Sequence, residues 1–286
     1  PLMLHAQNMD DVVCRELGLE MPSSAVNEHY PALADWSKMV ETIHARKGEI
    51  KIALVGKYVK LHDSYLSIVE ALNHASFVVG KNVSIKWVDS DSVTDETAPE
   101  VFSGCEGIIL PGGFGNRGIE GMISSCRYAR NHEIPYFGIC LGMQIAVIEF
   151  ARSVLGWQDA NSREFDELCE HPVIDLMKDQ EGVIKGGTMR LGSYPCKIAE
   201  GTILSNAYKS ELIEERHRHR YEFNNEYKKR FQEAGLVISG TSPDESLVEA
   251  VETSGTFHVG VQFHPEFKSR PNNAGPLFVE FLKACL

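Results

Sequence analysis

The chain has 286 residues, of which 43% are hydrophobic and 24% charged, and its formal net charge is −12. This composition is typical of a folded globular protein, and the negative charge argues against general nucleic-acid binding, which needs a basic surface. No stretch approaches the roughly 18 consecutive apolar residues of a membrane helix, so we expect neither nucleic acid nor a membrane as a partner.

The cysteines and the N-terminus indicate the compartment. Seven cysteines without a C-x-x-C pair are typical of reduced thiols. The first residues lack the basic and then apolar regions of a signal peptide. The sequence therefore predicts a cytoplasmic protein. Because it begins with Pro1 and not with Met, we also expect a fragment of a longer chain.

Residues 1–49 differ from the rest and predict two short helices. The first would bury one apolar face, formed by Leu4, Val12, Val13 and Leu17. After a break at residues 21–24, apolar residues recur at helical spacing at Leu33, Trp36, Met39, Val40 and Ile43. Two such helices cannot form a core alone. We interpret them as a connector that packs on the main domain or on a domain outside this chain.

The main domain is predicted to span residues 50–286 as an α/β fold. Short apolar runs predict strands at 51–56, 83–88, 107–110 and 135–139, and helical periodicity predicts helices at 65–79, 117–131, 141–152 and 277–284. The part from 187 to 263 is richer in strand and turn patterns. Alternating strands and helices of these lengths favour a three-layer sandwich around a mostly parallel central sheet.

The strongest local signal is Gly138-Ile139-Cys140-Leu141-Gly142, between an apolar strand and an amphipathic helix. It matches the nucleophile-elbow pattern with Cys140 in the nucleophile position. Small neighbours permit the sharp turn, and the N-terminus of the following helix favours a thiolate. A free Cys is, however, more often a small buried residue than a nucleophile.

A nucleophile needs a base and a residue that orients it. His264 follows a predicted buried strand, and on an extended segment Glu266 would point to the same side, so that it could bind one ring nitrogen. A His and an unrelated surface Glu would give the same pattern.

An acyl-transfer site also needs donors for the developing oxyanion. The glycine-rich residues 110–115 follow a predicted strand and could supply backbone N–H groups. A phosphate loop is disfavoured because no Gly-Lys-Ser/Thr follows, whereas a simple turn stays possible.

These three motifs in this order resemble the class I glutamine amidotransferases, which carry a glycine loop, then G-x-C-x-G, then H-P-E. Residues 186–192 (GGTMRLG) and 215–222 (ERHRHRYE) resemble more narrowly the amidotransferase domain of the CTP synthase family. The resemblance covers about residues 50–286. It implies that residues 1–49 are the end of a synthetase domain and the interdomain linker.

The resemblance also implies roles for individual residues. Cys140 would be the nucleophile in a catalytic triad with His264 and Glu266, and the backbone N–H groups of Gly113 and Leu141 would form the oxyanion hole. The implied glutamine-binding residues are Gly113, Leu141, Gly142, Met143, Gln144, Glu164, Arg220 and Tyr221. Arg163 stands where the resemblance expects Thr or Ser.

The implied reaction is hydrolysis of glutamine through a glutamyl thioester. The ammonia would pass to the synthetase domain of the same polypeptide, which uses ATP and magnesium to aminate UTP to CTP in a homo-oligomer, expected to be a tetramer. This chain itself is expected to hold no cofactor and no metal.

GTP would be the activator, and Arg190 is the candidate for coupling it to the site, although a surface Arg in a loop would give the same pattern. The glycines around Arg190 and the absence of apolar periodicity predict a mobile lid there. Two alternatives stay open on the same fold, namely a stand-alone γ-glutamyl hydrolase and a non-catalytic regulatory or filament-forming module.

Overall fold

The structure is a computed structural model and describes residues 2–19, 33–176 and 189–286. In these ranges the α-helices are α1 (Leu2–Ala6), α2 (Met9–Glu16), α3 (Leu33–Ala45), α4 (Leu66–Val79), α5 (Ala98–Val101), α6 (Ile119–Asn131), α7 (Leu141–Ser153), α8 (Ile203–Tyr208), α9 (Lys228–Glu233) and α10 (Pro276–Ala284). Within the same ranges, no helix is both long and apolar enough to span a bilayer.

The strands form two sheets. They are β1 (Glu49–Gly56), β2 (Asn82–Asp89), β3 (Gly107–Leu110), β4 (Tyr136–Ile139), β5 (Asn161–Ser162), β6 (Pro172–Leu176), β7 (Arg190–Ile198), β8 (Leu212–His219), β9 (Tyr221–Phe223), β10 (Val237–Thr241), β11 (Val248–Glu252) and β12 (His258–Val261). The larger sheet has nine strands in the order β2-β1-β3-β4-β12-β11-β10-β7-β8, and the smaller has the order β5-β6-β9.

The half of the large sheet that carries the predicted motifs is parallel. Strands β2, β1, β3, β4 and β12 all run the same way, and their carboxyl ends lie along one edge of the sheet. This arrangement confirms the predicted α/β fold and brings the residues that follow β1, β3, β4 and β12 together. Strands β11, β10, β7 and β8 extend the sheet in the antiparallel sense.

Helices cover both faces of the sheet, as a three-layer sandwich requires. Alternate residues of β1 serve the two faces because side chains along a strand point to opposite sides. Ile52 and Leu54 join the core under α4 and α10, whereas Ala53 and Val55 join the core under α6 and α7. The apolar run in β1 therefore reflects burial on both faces.

The N-terminal segment departs from its prediction in one respect. The residues expected to form a buried face on the first helix, Leu4, Val12, Val13 and Leu17, are exposed on α1, on α2 and just beyond α2. The second helix is confirmed as α3, with Trp36, Met39, Val40 and Ile43 half-buried.

The link from α3 to the main domain is a polar contact. Arg46 follows α3, donates to Ser76 Oγ on α4 over 2.8 Å, and stacks its guanidinium over Phe77. Part of the connector therefore packs on the main domain.

Candidate active site

Cys140 lies at a sharp turn between β4 and α7. Its backbone has φ 53° and ψ −101°, a conformation that L-residues rarely adopt and that persists only where the surroundings enforce it. Two contacts enforce it here: the Cys140 amide donates to the Val261 carbonyl over 2.7 Å, and a Cβ on Gly142 would collide with the Leu110 carbonyl. The turn directs the sulfur toward the carboxyl ends of the parallel strands.

His264 and Glu266 form a buried pair. His264 Nδ1 lies 2.7 Å from Glu266 Oε1, and the His264 amide donates to the Arg216 carbonyl over 2.7 Å. The pairing was predicted on an extended segment, but Pro265–Phe267 form a 3-10 turn that folds the carboxylate back onto the ring. The predicted partners are thus correct and the predicted backbone is wrong.

The His264 ring also adjoins Cys140. A Cβ placed on Gly112 would lie 3.0 Å from His264 Cε1 and 3.6 Å from Cys140 Cβ, so the three residues meet at one point. His264 Nε2 is buried and has no hydrogen-bond partner in the described part of the chain, which leaves it available to the thiol or to a substrate.

Opposing effects set the protonation of His264. Burial lowers its pKa, but the neighbouring Cys140 and Glu266 raise it more strongly, and the net result is a pKa of about 10. The imidazole is therefore protonated at neutral pH, with Cys140 and Glu266 beside its charge. A protonated ring can give its proton to a departing amine.

The expected oxyanion donors lie beside the sulfur. Leu141 is the first residue of α7, and a Cβ on Gly113 would lie 3.3 Å from Leu141 Cδ2. Within residues 2–19, 33–176 and 189–286, neither the Gly113 nor the Leu141 amide donates a hydrogen bond. Two free N–H groups next to a nucleophile are the arrangement that stabilises an oxyanion.

A cavity of about 150 Å³ opens beside Cys140 and contains most of the predicted glutamine-binding residues. Its walls include Gly113, Cys140, Gln144, Glu164, Met189, Arg220 and Tyr221. The Arg220 Nε is buried and has no partner among the described residues, so it can bind a carboxylate.

Glu164 places its carboxyl group in the same cavity as Arg220. Its Oε1 accepts from the Gly115 amide over 3.1 Å, and its own amide donates to Ser162 Oγ over 3.1 Å. Arg163, the departure from the family pattern, turns outward and lies 3.4 Å from Asp175. The cavity therefore presents a carboxylate and a guanidinium to a small zwitterionic ligand.

Two predicted substrate-binding residues lie outside the lining of this cavity. Met143 is fully buried and packs against Gly260 of β12, away from the cavity. The Gly142 carbonyl accepts from the Tyr136 hydroxyl over 2.7 Å, which holds the first turn of α7. Both residues pack within the elbow region, and neither is among the residues that line the cavity.

Arg190 is placed differently from its prediction. It begins β7 with its side chain buried, lies 2.5 Å from Glu249 Oε1 and covers the Tyr194 ring. The mobile-lid prediction is therefore wrong for Arg190, because its side chain bonds to a buried carboxylate from a distant strand. Gly186, Gly187 and Thr188 lie outside the described residues.

Lys57 is a site residue that the sequence reasoning missed. Its Nζ donates to the carbonyls of Phe114 and Gly115 and thereby holds the glycine loop. Burial lowers its pKa to about 8, with Glu164 opposing the shift. Its position directly after the buried strand β1 was the available signal, since active sites of parallel sheets form at such strand ends.

A second cavity, of about 360 Å³, also reaches Cys140. His264, Glu266 and Phe267 line it together with Tyr58 and Tyr65. Cys140 thus lines both the smaller and the larger cavity.

Comparison with known proteins identifies the class. The glutamine amidotransferase class-I family matches residues 60–284. The chain therefore belongs to the class-I glutamine amidotransferases. Its arrangement of elbow, His–Glu pair and glycine loop agrees with the resemblance stated from sequence.

The relatives are more specific. The CTP synthase of Clostridium acetobutylicum is 54% identical over 288 residues, which cover 100% of this chain and 52% of the relative. The CTP synthase of Rubrobacter xylanophilus is 52% identical over 288 residues, with 100% and 51% covered. The chain thus spans about half the length of the curated relatives it matches.

A solved structure supports both the family match and the similarity to CTP synthases. The Trypanosoma brucei CTPS glutaminase domain with bound acivicin superimposes with a TM-score of 0.78 at 41% identity, covering 82% of this chain and 93% of that one. The similarity supports the fold across most of the described residues.

Proposed function

We propose that this chain hydrolyses glutamine to glutamate and ammonia through a glutamyl thioester on Cys140. The observation that supports the proposal is the convergence of the His264–Glu266 pair, two free amides and a polar cavity on one sulfur atom. The family match and the CTP synthase relatives support the same substrate.

In the proposed first step, the Cys140 sulfur attacks the carboxamide carbon of glutamine. The oxygen takes the electron pair and accepts hydrogen bonds from the Gly113 and Leu141 amides. His264 gives its proton to the leaving nitrogen, the C–N bond breaks, and ammonia departs from a thioester. Glu266 holds the ring and stabilises its charge.

In the proposed second step, water attacks the thioester carbon while His264 takes a proton from it. The C–S bond then breaks, the sulfur leaves as a thiolate, and glutamate is released. Glu164 would bind the substrate ammonium and Arg220 its carboxylate throughout, since both charges face the same cavity.

The longer enzyme would use the ammonia. We propose that a synthetase domain of the same polypeptide aminates UTP to CTP with ATP and magnesium, that residues 1–49 connect to it, and that GTP activates glutamine hydrolysis. The whole enzyme would act as a homo-oligomer in the cytoplasm.

The test is release of ammonia and glutamate from glutamine by the chain and by its longer form. Cys140→Ser should abolish release, whereas Cys14→Ser, which changes a cysteine on α2 that lines neither cavity at Cys140, should leave it unchanged. Equal activity of the Cys140→Ser variant would overturn the proposal. Faster turnover of larger γ-glutamyl substrates than of glutamine would favour a γ-glutamyl hydrolase instead.

A further inference from the structure

Gln262 contacts the reactive sulfur from a position that the triad does not explain. It directly follows β12 and is fully buried. Its Nε2 lies 3.6 Å from Cys140 Sγ, within hydrogen-bond distance for the large sulfur atom. Gln262 precedes His264 by two residues, so one short segment after β12 supplies both residues that lie near the sulfur.

The orientation of the Gln262 amide follows from its neighbours. Gln144 Nε2 lies 3.0 Å from the Tyr221 carbonyl oxygen, which can only accept, so this end of Gln144 must be its NH₂ group. The same NH₂ group lies 3.3 Å from Gln262 Oε1. The oxygen of Gln262 therefore faces Gln144, and its NH₂ group faces the sulfur.

The backbone around Gln262 is equally fixed. The backbone N–H of Gln262 donates to the Glu249 carbonyl over 2.8 Å. The carbonyl of the adjacent Val261 accepts from the backbone N–H of Cys140 over 2.7 Å. Backbone hydrogen bonds at the end of β12 thus position both Gln262 and Cys140. The contact between Gln262 Nε2 and Cys140 Sγ therefore needs little reorganisation.

We propose that Gln262 stabilises the Cys140 thiolate by donating an N–H bond to it, with Gln144 fixing the donor's direction. This inference rests on the proposed function in taking Cys140 as the nucleophile. The bond acts twice in that reaction, because the sulfur is a thiolate before it attacks and again when the C–S bond of the thioester breaks. A neutral donor supplies this without a second buried cation beside the His264 imidazolium.

Other groups around the sulfur bear on its protonation. The Arg218 carbonyl oxygen lies 3.9 Å from Sγ and can only accept, so it favours the protonated thiol and opposes Gln262. The titratable and charged groups that line the two cavities at Cys140 are Tyr58, Tyr65, Glu164, Arg218, His219, Arg220, Tyr221, His264 and Glu266. Gln262 is absent from both linings, so it acts on the sulfur without contacting the ligand.

The test is the pH profile of Cys140 alkylation by iodoacetamide, read from the mass of the Cys140 peptide. Gln262→Met keeps the length of the side chain but removes the donor. Its midpoint should rise by about one pH unit, which corresponds to about 1.4 kcal/mol for a hydrogen bond to a charged group. Gln262→Glu, which presents a carboxylate to the sulfur, should raise the midpoint further.

Gln232→Met is the matched control, because Gln232 is exposed on α9 and should leave the midpoint unchanged. Urea midpoints establish whether each variant folds. An unchanged alkylation midpoint in folded Gln262→Met would overturn the proposal. If that variant does not fold, Gln144→Met replaces it: it frees the Gln262 amide to turn, and it should raise the midpoint by less than one unit, whereas no rise would refute the inference.

The two proposals fail separately. Alkylation by iodoacetamide requires no glutamine turnover, so a shifted midpoint in a chain without glutaminase activity would support the role of Gln262 and refute the proposed function. Normal glutaminase activity with an unshifted midpoint would support the proposed function and refute the role of Gln262.

Discussion

The buried pair of Arg190 and Glu249 gives a prediction about stability. Glu249 is fully buried on β11, and Arg190 of β7 lies 2.5 Å from its Oε1. The second carboxylate oxygen, Oε2, lies 3.6 Å from His217 Nδ1. Burial lowers the pKa of His217 to about 2, so this imidazole is neutral and offers no charge. Among the residues that the structure describes, Arg190 is therefore the cation that balances Glu249.

Arg190→Ala should lower the free energy of unfolding by about 3–5 kcal/mol, because it leaves a buried carboxylate without its counter-charge. A domain is usually stable by only about 5–15 kcal/mol, so the loss would be a large fraction of the total. Replacing both partners by neutral side chains, as in Arg190→Met with Glu249→Gln, should recover most of the loss, since no unpaired charge remains.

The loss should also depend on pH. Burial raises the pKa of Glu249, and Arg190 opposes that rise. Without Arg190 the folded-state pKa should rise further above the unfolded value. The folded variant then binds more protons than the unfolded chain, so its stability falls as pH increases through this range. The loss of stability in Arg190→Ala should be largest above the raised pKa of Glu249 and should become smaller as pH falls below that pKa.

Urea unfolding at neutral and at acidic pH measures this. Arg163→Ala is the control, because the Arg163 guanidinium is half-exposed and lies 3.4 Å from Asp175, a surface pair worth about 0–1 kcal/mol. If Arg190→Ala costs no more than Arg163→Ala at neutral pH, the buried pair does not stabilise the fold and the reasoning is refuted.

Three further predictions concern catalysis by the longer enzyme. His264→Ala should reduce kcat for glutamine by about 10²–10⁴-fold, and Glu266→Gln by less, because the imidazole moves the proton. Glu266→Gln should also lower the pKa of His264 from about 10 and move the alkaline limb of kcat/KM toward neutral pH, whereas an unmoved limb would assign it to another group. Lys57→Met should reduce kcat/KM and remove an inflection near pH 8, where Lys57 loses the charge that holds the glycine loop. Lys60 is exposed, and Lys60→Met should keep that inflection. If Lys60→Met also lost the inflection, Lys57 would be excluded as the group that causes it.

The parallel half of the fold could be predicted from sequence because its signals are local. The apolar run of β1 is buried on both faces, and the glycines of the elbow mark a turn that larger side chains would block. Cys140 and His264 follow adjacent strands, so their proximity follows from the order of a parallel sheet.

The incorrect predictions involve contacts distant in sequence. Arg190 lies among glycines and lacks apolar periodicity, but its burial depends on Glu249, 59 residues away. The orientation of the Gln262 side chain was not predicted at all, because it depends on Gln144 in another element and sequence periodicity carries no information about the direction of an amide. The apolar residues of α1 and α2 repeat at helical spacing, which indicates an amphipathic helix but not what covers its apolar face.

The central claim is that glutamine is cleaved through a thioester on Cys140, and trapping that intermediate tests it most directly. The enzyme would be mixed with isotopically labelled glutamine, quenched in acid during turnover, and digested for peptide mass analysis. We predict a glutamyl group on the Cys140 peptide that is absent in Cys140→Ala and that base or hydroxylamine removes. Turnover with no label on Cys140, or with the label on another cysteine, would contradict the claim.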